Sequence, residues 1–284
     1  MEKSAKTPKH SMTEERRRHG LRRDLCGIAA VVAAMTAGFT ALAAVKKAPY
    51  PEVKVTINQE YQPDATFLKM RGAFADAVAK KDAAALFRLV APTFVWTIDG
   101  QPADDMDLGR DSVANFKVAF GFRAPGKNED GGVENGPFWD ALAAFAADLT
   151  YYSANDGGTL VCGPLAAEVA DSDVFEQARK KIETGDEGAD WYFTLAETAV
   201  AKAPGDTGPP IAKVGTVAMP LIGVFPPPKE GEAAPQVTHL EILLPSGKSG
   251  WIPAAAALPL ITDRLCYART PNGDWRIALL DQPG

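Results

Sequence analysis

Between Asp64 and Val90, apolar side chains recur three and four residues apart. Phe67, Met70, Phe74, Ala77 and Val78 precede the Lys80-Lys81-Asp82 break; Ala85, Leu86, Leu89 and Val90 follow it. This is the spacing of one helix face, so the segment predicts two short amphipathic helices. Pro92 stops the second, and the β-branched and aromatic run Thr93–Ile98 predicts a strand closed by the turn Asp99-Gly100. Helical spacing returns at Val113, Phe116, Val118, Ala119 and Phe120, with Ser112 as the expected cap, and again at Phe138, Leu142 and Phe145 behind Pro137. Thr159–Cys162 reads as a short strand, and Asp171-Ser172-Asp173 opens a brief helix that runs to Ile182.

The pattern changes past Gly185–Asp190. Trp191–Thr194, Thr198–Val200, Ile211–Val214, Met219–Phe225, Val237–Leu244 and Trp251–Pro253 are short runs divided by Gly- and Pro-rich loops. Such spacing predicts a small barrel, a sheet that closes to remove its own edges. The tail, with Asn272-Gly273 at its centre, predicts a hairpin that either extends the barrel or returns to the front of the molecule. Strands and helices do not alternate regularly, which disfavours a doubly wound sheet and leaves an α+β class. The expected division is a leader at 1–44, a linker at 45–62, a helical or α+β domain at 63–185, a barrel at 190–260 and a hairpin at 261–284.

Charge explains the leader. The 284 residues carry a net charge of −6, but residues 1–44 hold eight Lys/Arg against four Asp/Glu, a net of +4 that leaves −10 for the rest. Arg16, Arg17, Arg18, Arg22 and Arg23 precede an uncharged run from Leu25 to Val45, and Ala41-Leu42-Ala43 supplies small residues at a signal-peptidase spacing. The expectation is an export signal with the remainder in the periplasm. The alternative is an uncleaved inner-membrane anchor with the remainder facing the periplasm, since such a run is long enough for a bilayer core of about 30 Å. Arg22-Arg23 resembles the twin-arginine motif, and the Sec route stays open beside it. An acidic body without a basic stripe excludes nucleic acid as the partner. The membrane is a partner only through the leader, if that is retained.

In an exported chain Cys162 and Cys266 are the two cysteines past the leader, and they read either as a disulfide or as two buried thiols. His239 is the one histidine past the leader, which leaves a Ser/His/Asp set or a multi-histidine zinc site hard to assemble. A Cys162–His239 thiolate and base pair is the sharpest catalytic pattern, but Gly163-Pro164 follows the cysteine where such enzymes place a helix. Asp104, Asp105, Asp107 and Asp111 lack the alternating spacing of a calcium loop and read as a solvated acidic turn. Asp99 beside Trp96 reads as a turn residue, or as a general acid if the front holds a small molecule. No catalytic residue, metal site or cofactor is expected.

Two stretches resemble known families. FADAVAKKDAAALFRLVAPTFVWTIDG is similar to the opening of nuclear-transport-factor-2-like α+β cones. AVAKAPGDTGPPIAKV, MPLIGVF and HLEILLPSGKSGWIPAAAALPL resemble the bacterial SH3-like domain through Gly247-Lys248-Ser249-Gly250-Trp251-Ile252. There a Gly turn precedes a Trp that closes a small barrel. The resemblance implies an exported bacterial protein whose barrel recognises peptidoglycan or an envelope protein without catalysis, with Trp191, Tyr192, Trp251 and Tyr267 as the ligand-stacking candidates. The alternative class is a small-molecule binder or enzyme with a pocket in the front domain.

Overall fold

The computed structural model describes residues 47–58, 60–123, 135–184, 190–229 and 235–283. The leader expected at 1–44 lies outside them. Among the described residues no helix is long and apolar enough to cross a membrane.

The first element corrects the linker expected at 45–62. Val53, Val55 and Ile57 alternate with Lys54 and Thr56, and this period of two makes β1 (Val53–Ile57) a strand with Val53 and Val55 buried. Next come α1 (Ala65–Ala79) and α2 (Ala83–Phe87). Asp64 and Asp82 cap them, accepting from the Phe67 and Ala85 amides at 2.8 and 2.9 Å. β2 (Val90–Ile98) turns into β3 (Gln101–Pro102) through Asp99 and Gly100, at φ 52° and 70°, the paired left-handed residues of a tight hairpin turn.

The cap of α3 (Ser112–Ala119) is Asp111, not Ser112: the Asp111 carboxylate accepts from the Ala114 amide at 3.1 Å. The Ser112 hydroxyl instead donates to the Pro92 carbonyl and accepts from the Phe94 amide, tying the helix to β2. α4 (Gly136–Ala147), β4 (Tyr152–Ser153), β5 (Leu160–Gly163), β6 (Ala167–Val169) and α5 (Ser172–Ile182) complete the first half. The second half is strand-rich, with β7 (Trp191–Thr194), β8 (Thr198–Val200), β9 (Ala212–Val214), β10 (Val217–Phe225) and β11 (His239–Leu243). It ends with β12 (Ser249–Pro253), β13 (Ala257–Pro259), β14 (Arg264–Arg269) and β15 (Trp275–Gln282).

These elements make an α+β fold with two main sheets. The front sheet runs β3-β2-β15-β14-β5-β4, antiparallel except where β15 lies parallel to β2. The tail hairpin therefore returns to the front and supplies its centre. Side chains from α1 to α4 fill one core with this sheet, including Phe67, Phe74, Phe94, Phe116, Phe120 and Phe138. Most of its ring pairs meet edge to face, among them Phe67 with Trp275 and Phe116 with Phe138.

The back sheet runs β12-β11-β10-β1-β6, with β7 pairing β10 and β13 pairing β7. A 3-10 turn, Ala254–Ala256, links β12 to β13, and β8 with β9 forms a separate ribbon. That ribbon meets β12 where Ala201 and Trp251 exchange backbone hydrogen bonds of 2.8 and 2.9 Å. Glycines permit two close approaches, of the amino-terminal segment at Gly247 and of the ribbon at Gly250. Gly247 has φ +78°, and a Cβ there would stand 2.8 Å from the Pro49 nitrogen; one at Gly250 would stand 2.5 Å from Val200 Cγ1.

The sheets meet at the cysteines. Cys162 and Cys266 face each other across β5 and β14 at disulfide distance, S–S 2.00 Å, in a cluster that Ile57 and Leu258 of the back sheet also join.

Candidate functional site

Three adjacent strands of the back sheet build an open face. Register aligns Gly223, Glu241 and Trp251 in one row across β10, β11 and β12, and Phe225, His239 and Pro253 in the next. Side chains on a strand alternate between faces, so these six share one side. The intervening Val224, Leu240, Ile242 and Ile252 turn inward and are buried together. A bulge in β10 between Leu221 and Gly223 sets this phase.

The outward side carries aromatic surface beside a carboxylate. Phe225 is 43% exposed, and its ring meets half-buried Trp251 edge to face, centroids 6.4 Å apart at 87°. Glu241 folds over Gly223, where a Cβ would come within 3.1 Å of Oε2. Its Oε1 lies 3.5 Å from the Lys47 ammonium, which also donates to Ser249 Oγ at 3.1 Å.

The four aromatic candidates fall in different places. Trp251 stands on the open face, with Ile252 rather than the indole pointing into the core. Trp191 is a core residue at 0% exposure, held edge to face by Tyr50 and Phe175, and among the described residues its Nε1 has no hydrogen-bond partner. Tyr192, next on β7, points the other way and packs half-buried on the inner side of the β10–β12 core, its phenol pKa raised by burial and then by Asp190. Tyr267 is buried in the front core, where it accepts from Arg71 at 2.5 Å. Neither Trp191 nor Tyr267 presents a ring to solvent, because each fills the centre of a core. Phe225 and Glu241 escaped the sequence reading, although the outward phase of His239-Leu240-Glu241 signals the carboxylate.

No family model matches the chain, and no curated protein or solved structure matches it.

The catalytic patterns resolve into structural roles. Cys162 at disulfide distance from Cys266 is no free thiolate for His239, which stands on the other sheet. Asp107 accepts from the Gly109 amide at 2.9 Å and Asp111 caps α3. Among the described residues no group of three His, Cys, Asp or Glu is placed to hold a metal ion. Asp99 sits exposed in its turn, while the Trp96 indole donates to Gln282 Oε1 at 2.6 Å.

Gln282 in turn donates to Asp263 at 2.8 Å. Burial, with Asp281 adding a like charge, pushes the Asp263 carboxyl up to about 6, against the opposing pull of the Gln282 hydrogen bond. A second buried polar group, Arg71, spreads its donors over the Tyr151 and Tyr267 hydroxyls and the carbonyls of Phe145, Ala146 and Asp148, at the carboxy-terminal end of α4.

Proposed function

We propose that the protein is an exported, non-catalytic recognition module of the cell envelope. Its back half acts as an SH3-like domain that presents the Trp251–Phe225 face to an extended peptide chain of the wall or of an envelope protein. The observation that carries this reading is the edge-to-face pair of exposed Phe225 and half-buried Trp251 beside Glu241, on strands whose opposite side is a filled core. Aromatic rings with an adjacent polar group are a recurrent way of holding peptide chains. The strand order β13-β7-β10-β11-β12, with a 3-10 turn before β13, supports the SH3-like assignment. The front half serves as scaffold: its interior is filled by phenylalanine rings and a buried, hydrogen-bonded guanidinium, which favours the face over a front pocket.

Co-sedimentation with purified peptidoglycan sacculi tests the wall as ligand. The expected result is wild-type protein in the pellet and a Trp251→Ala variant in the supernatant. Both proteins in the supernatant would remove the wall and leave envelope proteins as the source of the peptide.

A further inference from the structure

Resting on that reading, we propose that the ligand of the Trp251 face is a lysine-bearing peptide segment of a protein partner, and that Lys47 of this chain occupies the ammonium position until the ligand displaces it.

Glu241 is the acidic member of its row, set between a glycine and an indole. Gly223 leaves its carboxylate room to lie across the sheet instead of standing into solvent, and its side chain is only 23% exposed. Half-covered anions of this kind gain most from a partner that brings a positive charge. The structure places such a charge there: Lys47 Nζ, 3.5 Å from Oε1 and 3.1 Å from Ser249 Oγ.

That internal contact is built to be replaceable. The Lys47 side chain is 55% exposed, and an ion pair so open to water is weak. Among the described residues Lys47 makes no cation–π contact; the rings so engaged are those of Phe74, Phe87, Phe122, Tyr151, Phe175 and Tyr267. An incoming lysine whose stem lies along Trp251 and Phe225 would gain both the carboxylate and an aromatic surface. Charge complementarity extends past the site, since the chain beyond residue 44 carries −10 and attracts basic segments at long range.

The test uses the exported chain and an amino-terminally acetylated, fluorescein-labelled peptide that alternates leucine and lysine. Its control is the same peptide with every lysine ε-acetylated, and binding is read by fluorescence anisotropy. The free-amine peptide is expected to bind at least tenfold more tightly than its control, and progressively less tightly as salt is raised. Glu241→Gln should abolish that preference, whereas Lys47→Ala should tighten binding of the free-amine peptide several-fold, a gain no general loss of structure would give. Equal affinity for both peptides, no binding of either, or weaker binding by Lys47→Ala would overturn the proposal. Equal affinities that both collapse in Trp251→Ala would overturn the lysine preference while leaving the aromatic face intact. A Trp251→Ala variant that binds both peptides like wild type would instead sink the face itself. A dimer in sedimentation that Trp251→Ala dissolves would assign the face to a second copy of this chain and overturn the proposal.

Discussion

Arg71 holds its charge in the front core at 5% exposure, its described hydrogen bonds all going to phenol hydroxyls and backbone carbonyls. The guanidinium faces the negative end of the α4 dipole and lies over the rings of Phe74, Tyr151 and Tyr267. Lysine has neither the planar fork nor enough donors for this arrangement. Arg71→Lys is therefore expected to destabilise the protein by roughly 2–4 kcal/mol, read from the urea midpoint, because buried acceptors are left unpaired. Asp263 works in the opposite sense. The folded protein holds its proton to about pH 6, against an ordinary 3.8, so its contribution to stability is complete below pH 3.8 and is lost as pH rises through 6. Asp263→Asn can keep the acceptor for Gln282 without the charge. It should raise stability by roughly 1–2 kcal/mol at pH 7.5 and by almost nothing at pH 3.5, in denaturation curves at the two values. The sequence hinted at one of these residues: Arg71 lies on the stripe of Phe67, Phe74 and Val78, where a cation stands out among apolar neighbours. Asp263 carried no such mark, because its burial depends on Gln282, nineteen positions away.

Among the elements, those with a strong local pattern were legible, and those that depend on distant partners were not. α1 is announced by its apolar stripe, and the Asp99-Gly100 turn by residues that tolerate positive φ. The strand Val53–Ile57 was hidden because five residues next to a proline look like a tether until β6 and β10 are known to flank them. The sequence leaves Trp251 open between closing the barrel and stacking on a ligand, since Trp251 and Ile252 are both apolar and only the register against β11 decides which faces the core. The cysteine pair belongs to this scale too. It joins neighbouring strands across a sequence separation of 104, and the usual loop-closure estimate for such a span is about 4.7 kcal/mol. Replacing Cys162 and Cys266 by alanine should cost about 2–5 kcal/mol in denaturant unfolding under non-reducing conditions, and adding reductant to the wild type should reproduce the loss.

Across the whole molecule the chain is interleaved. Its first described strand lies within the back sheet, between β6 and β10, while its last two lie at the centre of the front sheet. The division into successive front and back segments is therefore not a division into independently closed sheets. Deleting residues 261–284 should strip β15 from β2 and β14 from β5 and expose the rings of the front core. The expected outcome is loss of the cooperative thermal transition and rapid cleavage at the front half in limited proteolysis.

The position of that hairpin also sets an order of events. A chain that emerges amino-terminus first shows Cys162 to its surroundings for 104 residues before Cys266 arrives. During that interval β2 and β5 present unpaired edges, ready templates for a wrong neighbour. The last two dozen residues thus act as a latch: until they are delivered, neither the sulfur partner nor the middle of the front sheet exists, and a holding factor would have its greatest effect on the unfinished chain.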